Sequence, residues 1–205
     1  MLTLYYAPGT CSLATRIALI DAGAEYTSKR LDFSKGEQRT AEFLALNPKG
    51  RVPALATDHG LLTENTALLI YVAQTWPAAR LAPLDNPVAM AHLQAFNSYL
   101  SSTVHVAHAH GYRGNRWTDD PAAIQAMKAY VPTSMTAALS LVETHFLQGP
   151  FVMGDSYTVA DAYLFTMSLW IEGDGVDPAA LPRIMAHRAM MAARPSVIRA
   201  LAEEV

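Results

Sequence analysis

The chain has one cysteine among its 205 residues, Cys11. One cysteine cannot close an internal disulfide, and without a Cys-x-x-Cys pair a self-contained dithiol redox cycle is excluded. A chain free of disulfides fits a reducing compartment, so the expected location is cytoplasmic. Charge is also scarce: 16% of residues are Asp, Glu, Lys or Arg, and the net charge is -3. So mild an acidity gives nucleic acid or an anionic membrane no electrostatic hold, and neither is expected as a partner. No apolar run has the length needed to span a bilayer. The segment "MLTLYYAPGT" lacks the basic start, apolar run and small-residue site of a signal peptide. Internal repeats and low-complexity tracts are missing too. What remains is an ordinary globular composition, 51% hydrophobic, with enough chain for one domain or two small ones.

The first eighty residues alternate in type. "LTLYYA" (2–7) reads as a strand, rich in aromatic and β-branched side chains. "SLATRIALIDAG" (12–23) places Leu13, Ile17 and Ile20 on one helical face and ends at Gly23, a natural stop. "EYTSKRLDF" reads as a second strand, and "EQRTAEFLALNP" (37–48) as a helix that stops before Pro48. "VPALAT" and "LLTE" flank the turn "DHG" and predict a hairpin. "NTALLIYVAQTW" predicts a further helix, ending before Pro77. The order β-α-β-α-β-β-α describes a small α/β sandwich.

Past the Pro- and Ala-rich stretch at 77–87 the strand signals fade. Leu93, Phe96, Leu100 and Val104 recur at helical spacing, as do Ile124, Met127, Val131, Met135, Leu139, Val142 and Phe146. Pro132 falls inside the second series and is expected to kink or divide it. Thr158, three residues before Asp161, forms a variant capping box at the head of "YTVADAYLFTMSLW". The chain therefore divides into an α/β domain at 1–77, a linker at 78–86 and an all-helical domain at 87–205.

Four features carry candidate chemistry. Cys11 sits where strand gives way to helix, and the unpaired N–H groups and partial positive charge of a helix start favour a thiolate. With Ser12 as a possible N-cap, the thiol pKa should fall; a small buried apolar cysteine fits the same residues equally well. Val52-Pro53 is either a plain strand entry or a cis bond that leaves the backbone before it free to pair with a peptide-like ligand. Glu64 and Asn65 lie at a helix start, which can bind a carboxylate through backbone N–H groups while Glu receives an amino group; simple capping by Thr63 or Asn65 also fits. In "HVAHAH", His105 and His108 lie one helical turn apart, yet no carboxylate or cysteine adjoins them. An imidazole acting on a thiol or a bridging water is therefore favoured over a metal site.

Together, "YYAPGTCSL", "NPKGRVPAL", "LTENTALLIYVA" and "GDSYTVADAYLF" resemble cytosolic glutathione transferases, most of all the bacterial beta class. The resemblance covers nearly the whole chain. It implies a thioredoxin-like N-terminal domain followed by an all-α domain, and a homodimer. It makes Cys11 the class cysteine, next to the glutathione sulfur and able to form a mixed disulfide with it, followed by Ser12. It implies that Val52 pairs with the cysteinyl part of glutathione ahead of a cis Pro53, and that Glu64 and Asn65 hold the γ-glutamyl end. Lys35 would reach the glycyl carboxylate. His105 would be the class histidine, Trp170 the class tryptophan beside the electrophile, and Thr158 with Asp161 a buried folding motif. Tyr5 and Tyr6 are read as packing.

Three positions depart from the class pattern: Val106 replaces a lysine, Asn65 a Ser or Gly, and Ser98 stands where an asparagine is common, with Asn97 one residue earlier. The implied activity is conjugation of glutathione, as cosubstrate and without a metal, to hydrophobic electrophiles. Cys11, Ser12 and His105 would be catalytic, and Tyr112, Trp117, Phe165 and Trp170 would line the electrophile pocket. Two alternatives remain open at this point. One is a glutathione-dependent disulfide reductase working through a Cys11 mixed disulfide. The other is a protein that binds hydrophobic ligands without catalysis.

Overall fold

The structure, a computed structural model, describes residues 1–204. It divides into two compact units, one holding Met1–Met90 together with the chain from Ala192 onward, the other Ala91–Met191.

The first unit is built on a four-stranded sheet of order β2-β1-β3-β4. β1 (Leu2–Tyr6) runs parallel to β2 (Tyr26–Arg30), with Leu4 opposite Ser28, and antiparallel to β3 (Ala54–Thr57), with Leu4 opposite Leu55. The two-residue period of the strand sends Leu4 and Tyr6 inward from β1. β3 and β4 (Gly60–Thr63) form the predicted hairpin. Its two-residue turn is closed by Thr57, whose hydroxyl donates to the Gly60 carbonyl and accepts from the His59 N–H.

The crossover from β1 to β2 is α1 (Ser12–Asp21), buried along most of its length and packed on α3 (Asn65–Thr75); Ile17 of α1 and Leu68, Leu69 and Val72 of α3 are fully buried. α1 ends as expected at Gly23 (φ +67), where the Gly23 and Ala24 N–H groups cap the Ile20 and Leu19 carbonyls. Between β2 and β3 the expected helix over 37–48 is shorter. A turn of 3-10 helix covers Glu37–Arg39, and α2 (Ala41–Leu46) begins only after Thr40, whose hydroxyl caps the Phe43 N–H at 3.3 Å. The unit also takes in α9 (Pro195–Ala202), which packs on α1.

The second unit is helical. α4 (Pro87–Tyr99) and α5 (His105–Tyr112) are joined without a break by a wide π turn over Leu100–Val104, in which the His105 N–H bonds to the Leu100 carbonyl. Such a turn takes up about one residue more than an ordinary one. Asn97 therefore stands about two full turns before His105, and it is Asn97 that is buried, whereas Ser98 is exposed. The inward asparagine that the resemblance calls for is thus present, one position earlier than the spacing indicates.

α6 (Pro121–Leu141) passes through Pro132 without division, contrary to one branch of the expectation. Proline removes one helical hydrogen bond, but burial of Val131 just before it and of Met135, Ala138 and Leu139 after it holds the helix to the core across that position. α7 (Val159–Ser168) is the most buried helix, opened by the Thr158/Asp161 capping box. The fully buried Asp161 carboxylate accepts from the Thr158 and Val152 N–H groups, each at 2.7 Å, and lies 3.1 Å from His187 Nε2 on α8 (Pro182–Ala192). No helix among the described residues is long and apolar enough to cross a membrane.

Candidate active site

The segment from Ala7 to Ser12 folds around one carbonyl. The Thr10 and Ser12 hydroxyls donate to the Ala7 oxygen at 2.7 and 3.3 Å and lie 2.7 Å from each other. This closes the turn after β1, with Gly9 at φ +68 supplying the left-handed step. Ser12 is consequently the first residue of α1 rather than its N-cap, and its hydroxyl is buried against Ala7. Cys11 occupies the N-cap position, and its own side chain does not cap the helix. The Ser12, Leu13 and Ala14 N–H groups donate to the Thr10 hydroxyl, the Thr10 carbonyl and the Cys11 carbonyl at 3.4, 3.3 and 3.2 Å, so what the helix start offers an occupant of the turn is the positive end of its dipole.

Cys11 is only 7% exposed, and its Sγ donates to the Val52 carbonyl at 3.6 Å. The Val52-Pro53 peptide bond is cis, as the resemblance implies, and directly precedes β3. The thiol and the backbone before the cis proline thus meet at one point. Buried Asn47 holds the loop that delivers Val52, donating to the Arg51 carbonyl at 2.7 Å. Gly50 (φ +59) is required there, since a Cβ would lie 2.8 Å from the Gln38 carbonyl oxygen.

A second arm comes from α3. Glu64 sits at its N-cap with φ +72 and ψ 121, a conformation that costs a non-glycine residue about 1–3 kcal/mol. Neither Thr63 nor Asn65 caps the helix. Asn65 instead ties α3 to α1: its Nδ2 donates to the Cys11 carbonyl at 2.7 Å and its Oδ1 accepts from Thr15 at 2.6 Å. The side chain expected to meet a ligand is therefore already committed, and it fixes the backbone of the cysteine. The Glu64 carboxylate meets Lys49 Nζ at 2.5 Å, and Lys49 also donates to Thr63. Lys35, the basic residue singled out from the sequence, pairs with Asp32 at 3.2 Å and is largely exposed. Hydrogen bonds from Ser34 and Lys35 hold the Asp32 carboxyl at about 2.

A third arm escaped the sequence reading. Arg16 on α1 is buried, with its guanidinium 3.8 Å above the Tyr6 ring. It donates to the Glu203 carbonyl at 2.9 Å and lies 3.6 Å from the Glu204 carboxylate. Glu204 in turn accepts the Gly9 N–H at 2.9 Å, and Glu203 accepts the Tyr6 and Tyr26 hydroxyls. The residues after α9 thus brace the turn that carries Cys11. Burial pushes the Glu204 carboxyl up; burial, followed by the neighbouring Glu203 charge, pushes the Tyr26 hydroxyl to about 12. Tyr6 is a packing residue, as read from the sequence.

In the helical unit, His105 opens α5 with its ring 5.1 Å from Trp170. His108 stacks on the same indole at 3.9 Å and 14°, and its Nδ1 meets both oxygens of buried Asp174 at 2.8 and 3.0 Å. A carboxylate for the "HVAHAH" stretch does exist, but it comes from 66 residues further along the chain. Tyr112 lies against His108 at 4.9 Å, and Trp117 meets His110 edge-on at 4.4 Å; both are exposed. Phe165 is different. It is 1% exposed inside α7, so it belongs to the core and not to the surface that Tyr112, Trp117 and Trp170 share.

The family model of the glutathione S-transferase N-terminal domain matches residues 1–74, and that of the C-terminal domain matches residues 107–204. Among curated proteins, glutathione S-transferase GstA of Escherichia coli O157:H7 is 32% identical, covering 98% of each chain. A solved glutathione transferase homologue from Sulfitobacter with bound glutathione is 46% identical, with a TM-score of 0.96 over 99% of this chain and 98% of that one. A bacterial beta class glutathione S-transferase from Sphingomonas chungbukensis is 35% identical, with a TM-score of 0.86 over 98% of each chain. The chain belongs to the glutathione S-transferase family, with the thioredoxin-like sheet and helical domain of that fold.

Proposed function

We propose that this protein joins the thiolate of glutathione to hydrophobic electrophiles, acting as a cytoplasmic homodimer. The observation that carries the reading is the meeting of Cys11, at the start of α1, with the Val52 carbonyl ahead of the cis proline. A thiol-bearing peptide offers what such a site receives: backbone groups for Val52 and a sulfur for the helix start. Its γ-glutamyl end brings an amino group for Glu64 and a carboxylate for the N–H groups of α3. Lys49, already beside Glu64, joins Lys35 as a cation available to carboxylates. The resemblance adds His105 from the helical unit.

In the reaction the helix start and the Cys11 thiol stabilise the sulfur after its proton leaves to solvent. The sulfur then bonds to the electrophilic carbon as the leaving group departs. Lowering a thiol pKa of ~8.5 by ~2 units contributes about 2.7 kcal/mol toward the reactive form.

The burial of Cys11 beside that subsite favours one second reading, thiol transfer. The Cys11 thiolate would attack a glutathione mixed disulfide and release the other thiol. A second glutathione would then free Cys11 and leave as oxidised glutathione. The Cys11→Ala variant separates the two. If conjugation is the function, its kcat/KM with a chlorodinitrobenzene falls by no more than about tenfold, whereas thiol transfer to a mixed disulfide disappears. Loss of both activities in a folded variant assigns Cys11 to a chemical step they share. Wild-type protein that neither binds glutathione nor turns over a panel of electrophiles overturns the transferase reading.

A further inference from the structure

The helical unit holds a histidine–carboxylate pair that none of the three arms of the proposed thiol site uses. His108 projects from α5 and Asp174 from the turn after α7, and the Asp174 side chain is 1% exposed. A carboxylate only accepts hydrogen bonds. With both its oxygens at His108 Nδ1, it assigns the proton to that nitrogen and leaves Nε2 of the neutral ring as an acceptor. Nε2 has no hydrogen-bond partner among the described residues, and it is not one of the buried unpartnered atoms. It therefore reaches the surface of the unit.

Around that acceptor the surface is aromatic. Trp170 stacks on the imidazole at 14°, Tyr112 lies against it tilted by 37°, and His105 approaches the indole. The Tyr112 hydroxyl lies beside Gly173, in the turn that carries Asp174. A rigid acceptor at the edge of an aromatic platform selects a ligand with a planar ring and a hydroxyl donor at the ring's edge.

We propose that His108, oriented by Asp174, is a specificity residue that recognises the hydroxyl of phenolic ligands bound against Trp170 and Tyr112. As a statement about the electrophile, this rests on the transferase reading: the preferred electrophiles are hydroxylated aromatics rather than bare hydrocarbons. No bond changes at His108; the phenol O–H donates to Nε2, and the ring packs on the platform.

Titration calorimetry of the full-length protein with para-hydroxybenzylacetone and with its methyl ether tests the site without turnover. Both probes carry the ring, but only the phenol donates. The wild type is expected to bind the phenol about tenfold more tightly. In His108→Phe, which keeps the stack, the preference falls within about twofold. In Asp174→Asn it weakens, because the amide can either accept from Nδ1 or donate to it and so no longer fixes Nε2 as an acceptor. Circular dichroism checks that both variants are folded. Equal affinity in the wild type, or a preference that survives both substitutions, overturns the proposal. The related enones, para-hydroxybenzylideneacetone and its methyl ether, then report conjugation. The phenol preference is expected in KM, weakened in both variants, and small in kcat. If the calorimetric preference is present while glutathione adds to neither enone, the transferase reading fails and the His108 site stands.

Discussion

Glu64 concentrates a conflict between stability and function in one residue. Its φ of +72 suits glycine, and its contact with Lys49 is at the surface, where such a pair contributes at most about 1 kcal/mol. A glutamate is worth keeping there if its carboxylate meets a ligand's amino group. Glu64→Gly is accordingly expected to hold the protein's stability or raise it by about 1 kcal/mol in urea unfolding. Glutathione affinity, measured by calorimetry, should fall by about tenfold or more. A large loss of stability with unchanged affinity would place Glu64 among the structural residues. Neighbouring Asn65 shows the opposite case. The sequence marks it as a ligand contact, yet its amide is spent on Cys11 and Thr15. That use lies outside local reading because its partner is 54 residues away.

At the scale of elements, α9 is attached to the sheet by buried polar contacts as well as by apolar packing. Glu203 gathers the Tyr26 hydroxyl, the Tyr6 hydroxyl and Arg16. Because the Tyr26 hydroxyl is raised from 10.0 to about 12, its contribution to stability is complete below pH 10 and is lost as pH climbs toward 12. Between those values the Tyr26→Phe variant is expected to show a shallower loss of stability than the wild type, measured by urea unfolding at each pH. Parallel curves would mean that the hydroxyl keeps its proton to a similar degree folded and unfolded.

The legible elements are those whose signals are local. The aromatic and β-branched run of β1, the apolar face of α1 ending at Gly23, the Asp-His-Gly turn and the Thr158/Asp161 box each occupy a short window. The wide turn at Leu100–Val104 is less so, since an extra helical residue is invisible to a fixed seven-residue spacing; hence the apparent displacement of Asn97. Pro132 misled for a related reason, because its local cost is outweighed by burial of Val131 on one side of it and of Met135, Ala138 and Leu139 on the other.

Across the whole molecule, residue type and position alone left Cys11, the Val52-Pro53 bond and the start of α3 each open between a ligand site and plain structure. The family resemblance joined them into one corner, and the supports of that corner were legible in neither. Arg16 with Glu203 spans 187 residues, and His108 with Asp174 spans 66. Each such pair is created by the fold, and no periodicity reveals it. Together these supports describe a thiol site braced from three sides of its own unit: Val52, Asn65, and Glu204 through Gly9. Bracing of this kind holds the start of α1 in place without reorganisation.

The central claim is that glutathione binds at this corner as a thiolate. The most direct measurement is the ultraviolet thiolate absorbance of the glutathione complex as a function of pH, with the spectrum of the free protein subtracted. The account predicts a bound thiol that titrates ~2 units below its solution value of ~8.5, so that most of it is ionised at neutral pH. A bound thiol that titrates near ~8.5 would contradict it.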